Sequence, residues 1–441
     1  MSAPTHDKQR YVKLSRKWPG RRLAPLALAS VALGLATAEP VRAELLYPGQ
    51  VAGAKFAAGS AGATVGFVVG ARVELRTRGA AGWASSGAIA FRGPFALDGL
   101  ARLPSGRSAV LARAQDGSWL ELWDGRRRWS LRRDSVQARF GPAGLAVDKA
   151  GRPVVAYALW FPTRRTFLRV ARVTVNGKLT VKGLTRDGFP PSAAPPAAAP
   201  VVLGSGELRV VETYVPAGIE WRFEKGDWWG KLLHSSARGV PVGPIAAAAS
   251  GSTVYAAWTE AFPAVAPPAI VLATRADRVR SGVALEDAVL GGLAVTSTGP
   301  ELAANRCVPA AAFGLEGNGV CGGLITGAGV DGIVADYAAA ASARRLLLQT
   351  ADSLQWFSSP TPLSPRVTFA PDFTGRVEGA SGGEIAIYRE RPGERTLFST
   401  VPLSADGTFT VPAPAGAAAA AYRAVYTDPG TGIPHAALVG P

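Results

Sequence analysis

The residues able to do chemistry come first. "GASGG" (Gly379 to Gly383) matches G-x-S-x-G, the turn on which hydrolases expose a nucleophilic serine between a strand and a helix. The residues that follow, "EIAIYRE", alternate as a strand, and the nearest histidine is His435, so the motif reads as an ordinary turn. "GNGVCG" (Gly317 to Gly322) and "GAGVDG" (Gly327 to Gly332) match G-x-G-x-x-G, but a dinucleotide site needs a helix after the glycines to receive the pyrophosphate. The first contains a cysteine and the second runs into "IVADYA", which reads as a strand. Two cysteines and two distant histidines, His234 and His435, make no metal set beyond residue 43, and no cofactor is expected.

Groups suited to binding remain. "RRRWSLRR" (Arg126 to Arg133) holds five arginines around Trp129, a pattern that suits a polyanion with a sugar or base stacked on the indole. Its alternative is a solvated outer strand with Trp129 turned into the packing. Ten tryptophans lie between Trp83 and Trp356 and invite the same pair of readings, carbohydrate platform or packing.

The elements that hold these groups follow from a repeat. Strand, glycine turn and strand recur at Gly62, Gly106, Gly151, Gly206 and Gly251, with weaker copies at Gly299 and Gly332. A second hairpin closes on Trp83, Trp129, Trp229 and Trp356. Four strands in about 45 residues is the period of a β-propeller blade. The expected fold is therefore all-β, with six or seven blades, seven preferred, over residues 44–365. The stretch from Gly299 to Gly332, which contains Cys307 and Cys321, reads as an irregular blade. "FPPSAAPPAAAP" (Phe189 to Pro200) reads as a long loop between blades, because the glycine register continues on both sides of it.

In a propeller the turns between first and second strands and between third and fourth strands share one face. Here they are short, so the long loops gather on the other face. Long loops on a rigid scaffold are where binding groups sit, and Trp160, Arg164, Arg165, Asp187, Tyr214 and Glu260 are the candidates there.

The turns before the repeated tryptophans carry a resemblance. "EKGDWW", "TADSLQW" and "WDGRRRW" resemble degenerate copies of the Asp-box turn (Ser/Thr-x-Asp-x-Gly-x-x-Trp) of sialidase-like propellers, with Glu224 in place of the aspartate and Asp352 without the glycine. The resemblance implies a propeller in which the box braces an outer hairpin and takes no part in chemistry. It also permits a sialidase-like glycoside hydrolase, but no arginine triad, Tyr/Glu pair or acid/base aspartate aligns residue by residue.

The chain ends differ from its middle. Residues 1–43 combine a basic stretch with the arginine pair Arg21 and Arg22, an apolar run from Leu23 to Ala38 and small residues before Ala43. This is the pattern of a cleaved signal peptide for Sec or twin-arginine export, with a retained anchor as the alternative. The whole chain carries a formal charge of +16; without this segment 40 Lys/Arg face 30 Asp/Glu, a net +10 that favours anionic surfaces. Export also makes a Cys307–Cys321 disulfide the expected pairing. Residues 366–441 lack tryptophan and cysteine and read as about seven short strands, similar to bacterial immunoglobulin-like or transthyretin-like sandwiches. The expected protein is an exported monomer at the cell surface or outside it. It binds a glycan, a wall polymer or a surface protein rather than nucleic acid, and has no transmembrane helix after cleavage. A hydrolase and a structural envelope protein are the alternatives.

Overall fold

The computed structural model describes residues 43–441, except 60–61, 162–164, 186–194, 215–216, 225–226, 236–238, 263–265, 277, 309–319, 326–327, 341–342, 351, 360–364, 381, 393, 415–419, 431 and 441. Residues 1–42, nearly all of the segment read above as an export signal, therefore lie outside the described residues. The described residues contain strands and no helix, so none is long and apolar enough to cross a membrane.

Seven antiparallel sheets follow one another along the chain as blades I to VII: residues 54–90, 95–131, 139–183, 198–235, 240–286, 289–330 and 333–359. Each has four strands in sequence order from the axis outward, apart from two variations. In blade III two short pieces, Arg139–Phe140 and Gly144–Val147, share the innermost position against Pro153–Trp160. Blade VII takes its outermost strand, Glu44–Tyr47, from the start of the chain, paired with Leu354–Ser359. The innermost strands touch in a closed ring, I to VII and back to I. Seven blades is thus the correct choice between the two expected numbers.

No single core holds the ring. Apolar clusters fill each of the seven interfaces between neighbouring blades. The second strands are covered on both sides, which is why Pro153–Trp160 reads as an unbroken apolar run rather than an alternation. Polar seals cross the same interfaces near the axis. Asp98 of blade II accepts the Ala143 N–H of blade III at 3.0 Å, and Thr259 of V accepts Leu290 N–H of VI at 2.9 Å. Asn305 of VI accepts Val334 N–H of VII at 2.7 Å, and Asp336 of VII accepts Phe56 N–H of I at 2.7 Å.

The glycine repeat marks the turns between first and second strands in blades I to VI. At Gly151 the requirement is double: its φ is +75°, and a Cβ would come within 2.8 Å of Pro104 Cγ on blade II. Only a glycine lets the two turns abut. Gly332 is not a seventh copy, because it joins blade VI to blade VII; the matching turn of blade VII falls at 341–342, outside the described residues. The irregular spacing came from that misassignment.

Of the Asp-box-like turns, the one at Asp124 lies between third and fourth strands as expected, its carboxylate accepting Arg126 N–H and Arg127 N–H at 3.0 and 2.9 Å. The turn at Asp352 instead joins the second and third strands of blade VII, so Trp356 is a buried third-strand residue, 5.4 Å from the Trp83 ring. Trp229 does not pack: it is 58% exposed on the outermost strand of blade IV.

The last seven strands form a three-stranded and a four-stranded sheet around one core that includes Val367, Phe373, Ile385, Phe409 and Tyr422. The four-stranded sheet continues blade VI outward, through a contact between Val330 and His435. Arg395 makes two hydrogen bonds to Asp331 of the propeller (2.9 and 2.8 Å), and Arg423 donates to the Cys321 carbonyl (2.7 Å). Residues 40–441 accordingly cluster as one compact unit. The cysteines face each other on paired strands, Gly299–Val308 and Val320–Ile325, and form the Cys307–Cys321 disulfide. "GASGG" falls in the connection between Thr374–Glu378 and Glu384–Arg391, both strands, with Gly379, Gly382 and Gly383 at positive φ.

Candidate functional site

Four hairpin turns on the short-turn face, two from blade II and two from blade III, enclose a groove of about 580 Å³. They are the turns around Gly106, Gly125, Gly151 and Gly177, all with positive φ. Arg107, Arg126, Arg127 and Arg152 line the groove against a single carboxylate, Asp124.

These arginines are not equivalent. Arg152 is held by two hydrogen bonds to Asp148 Oδ2, at 3.0 and 2.8 Å. Burial works to raise the Asp148 pKa, but the Arg152 contacts and backbone N–H groups outweigh it and hold the group below its ordinary value. Arg107 donates to Ser105 Oγ at 3.1 Å and lies 3.8 Å from Asp124. Arg127 reaches across the wall to the Gly177 carbonyl at 3.2 Å, a contact that leaves no room for a Cβ on Gly177. Arg126 is exposed and has no side-chain partner among the described residues. The groove therefore offers an anion one free guanidinium beside three that are already positioned.

The central channel is different. About 420 Å³ in volume, it is lined by the innermost strands of all seven blades, mostly by Gly, Ala, Leu and Pro. Its carboxylates are engaged: Asp98 accepts from Arg113 Nε at 2.7 Å and Nη2 at 3.2 Å as well as from Ala143, and Asp336 accepts from Phe56 and Tyr337 N–H groups. Burial raises both pKa values above the ordinary aspartate range. These groups seal blades, and Lys55, which lines the same channel, partly opposes the rise of both.

The candidates on the long-loop face are dispersed. Trp160, half-buried, ends the second strand of blade III, and Arg165 is exposed in the loop that follows. Arg164 and Asp187 lie outside the described residues. Tyr214 ends the second strand of blade IV, and Glu260 lies two residues before the end of the second strand of blade V, Thr253–Phe262. Glu260, expected at a binding surface, is only 1% exposed. It accepts the Trp258 indole N–H at 3.1 Å and lies 3.7 Å from His234, because its strand is covered by both neighbouring blades. Nearby, Glu212 is fully buried and accepts the Trp221 indole N–H at 3.1 Å. Burial pushes its pKa up to about 8, against the lowering effect of that bond.

The sequence run around Trp129 contains Arg126 and Arg127, but Arg107 and Arg152, which join them in the groove, were not among the sequence candidates, and the groove lies on the face opposite the long-loop candidates. The signal was present: in blades II and III, and in no other copy, an arginine directly follows the repeat glycine. In blade IV the same position holds Glu207.

Neither a family model nor a curated protein matches the sequence. Among solved structures, similar ones include the fungal lectin of Aleuria aurantia, described by its six-bladed β-propeller fold and fucose recognition mode (13% identity, 72% of this chain and 100% of that one, TM-score 0.37). AofleA from Arthrobotrys oligospora matches at 13% identity over 73% and 89% of the two chains, with a TM-score of 0.35. A protein from Dyadobacter fermentans matches at 10% over 72% and 97%, with a TM-score of 0.38. The chain's own sheet order and closed ring of inner strands make it an all-β protein of propeller architecture.

Proposed function

We propose that this chain is a non-catalytic binding protein that holds an anionic polymer in the groove between blades II and III. The observation that carries the reading is the Arg126 guanidinium, without a side-chain partner among the described residues, beside Arg107, Arg127 and Arg152 in an open groove lined by one carboxylate. A channel whose carboxylates are already engaged favours binding over hydrolysis. Export to the cell surface or beyond belongs to the same reading; the signal-like residues 1–43 and the disulfide, which persists in oxidising compartments, support it.

Titration calorimetry of the purified chain with an acidic polysaccharide tests the reading, with a fluorogenic sialoside assay alongside. The expected result is salt-sensitive binding, log K falling with log salt at a slope of about −2 to −3, and no turnover. Arg126→Ala is expected to weaken binding about fivefold at low salt. Turnover of the sialoside, or affinity indifferent to salt and to Arg126, refutes the proposal.

A further inference from the structure

A second cavity, about 290 Å³, lies on the other side of the same blade III hairpin. The outer strands of blade III, Phe167–Val173 and Leu179–Gly183, pair so that Arg172 sits opposite Thr180 and Val170 opposite Lys182. Alternation along a strand then divides their side chains between two neighbours. Ala171, Val173 and Leu179 pack toward blade II, whereas Val170 packs toward blade IV. Arg172, Thr180 and Lys182 share the Val170 side, and Glu207, Leu208 and Trp228 of blade IV complete the cavity.

Its chemistry differs from that of the arginine groove. Trp228 supplies a half-buried aromatic surface on the strand Asp227–Ser235. Glu207, oriented by an ion pair to Arg209 at 2.6 Å, is an acceptor-only group. Arg172 and Lys182 are exposed cations on the rim, and Arg172 has no side-chain partner among the described residues. A pyranose ring bearing carboxylate or sulfate matches all three features: a face to stack on the indole, hydroxyls to donate to Glu207, and a charge for the cations. Polyphosphate matches only the last.

The first groove and this cavity flank a single hairpin, whose tip, residues 173–177, lines the groove. We infer that the anionic polymer is an acidic glycan, and that one of its rings stacks on Trp228 while its neighbouring charges lie along the arginine groove. This rests on the groove reading and adds the ligand's class to it.

The test is titration calorimetry of the full chain with a galacturonate hexamer, with linear polyphosphate of matched charge and with a thymidine hexanucleotide. Trp228→Leu is expected to weaken galacturonate about tenfold and to leave polyphosphate unchanged. Trp228→Phe, which keeps an aromatic face, is expected to restore most of that loss, and Arg172→Ala to weaken galacturonate without altering the fold. If Trp228→Leu does not fold, as judged by circular dichroism, the Phe and Arg172 variants carry the same comparison. Equal effects on galacturonate and polyphosphate, or none on either, overturn the stacking site. The same Trp228 dependence for the hexanucleotide overturns the sugar assignment. Failure of the underlying groove reading appears separately, as polyphosphate binding that Arg126→Ala leaves unweakened.

Discussion

Acidification should loosen the junction between the propeller and the C-terminal sheets, and His435 is the reason. It sits on the strand Pro434–Val439 at the contact with Val330, fully buried, with neither ring nitrogen hydrogen-bonded among the described residues. Burial depresses its pKa from 6.5 to about 4, with Asp428 opposing weakly. A histidine whose folded pKa lies below its unfolded value is held neutral in the fold while the unfolded chain takes up a proton. Stability is therefore intact above about pH 6.5 and is lost as the pH falls toward 4. At about 1.4 kcal/mol per pH unit, the cost between pH 7 and pH 4.5 is about 2 kcal/mol. The measurement is urea unfolding of the wild-type chain and of His435→Leu at both pH values. The variant's baseline stability differs, because the branched leucine does not match the planar imidazole it replaces, but its pH dependence should be flatter by that amount. Glu212, raised to about 8 by burial, titrates in the opposite sense, gaining stability as the pH falls from 8 toward 4.5. Comparing the two chains cancels its contribution. Parallel pH profiles for the wild type and His435→Leu would refute the reasoning.

Gly151→Ala places a Cβ against Pro104 at a φ of +75°. It should cost about 1–3 kcal/mol in stability by thermal unfolding, and shift Arg152 enough to weaken polyanion binding measurably. Asp336→Ala removes the acceptor for the Phe56 N–H at the seam between blades VII and I. Leaving that donor unsatisfied should lower stability by about 1–3 kcal/mol, and hydrogen exchange should show the Phe56 amide losing protection.

The sequence by itself determined the scaffold. Its glycine period announced strand hairpins of one blade length, because a tight turn between paired strands needs a positive φ that glycine supplies freely. With only two cysteines in the chain, the Cys307–Cys321 pairing was a matter of arithmetic, and the loss of tryptophan and cysteine after Pro365 marked a change in composition. Sequence misread the positions at which spacing alone could not distinguish one kind of connection from another. Gly332 and the Asp352 turn resemble their counterparts locally, yet they join different strands, a fact fixed only when the first strand of the chain completes blade VII. The grouping of charged side chains was the least legible part. Glu260 looks like a surface acid beside a long loop, but two neighbouring blades cover its strand. Arg107 and Arg152 lie 45 residues apart in the chain and meet only because consecutive blades set equivalent turns side by side. Local pattern dictates each hairpin through backbone geometry, whereas the grouping of charges depends on how blades pack around the axis, which is a property of the closed ring.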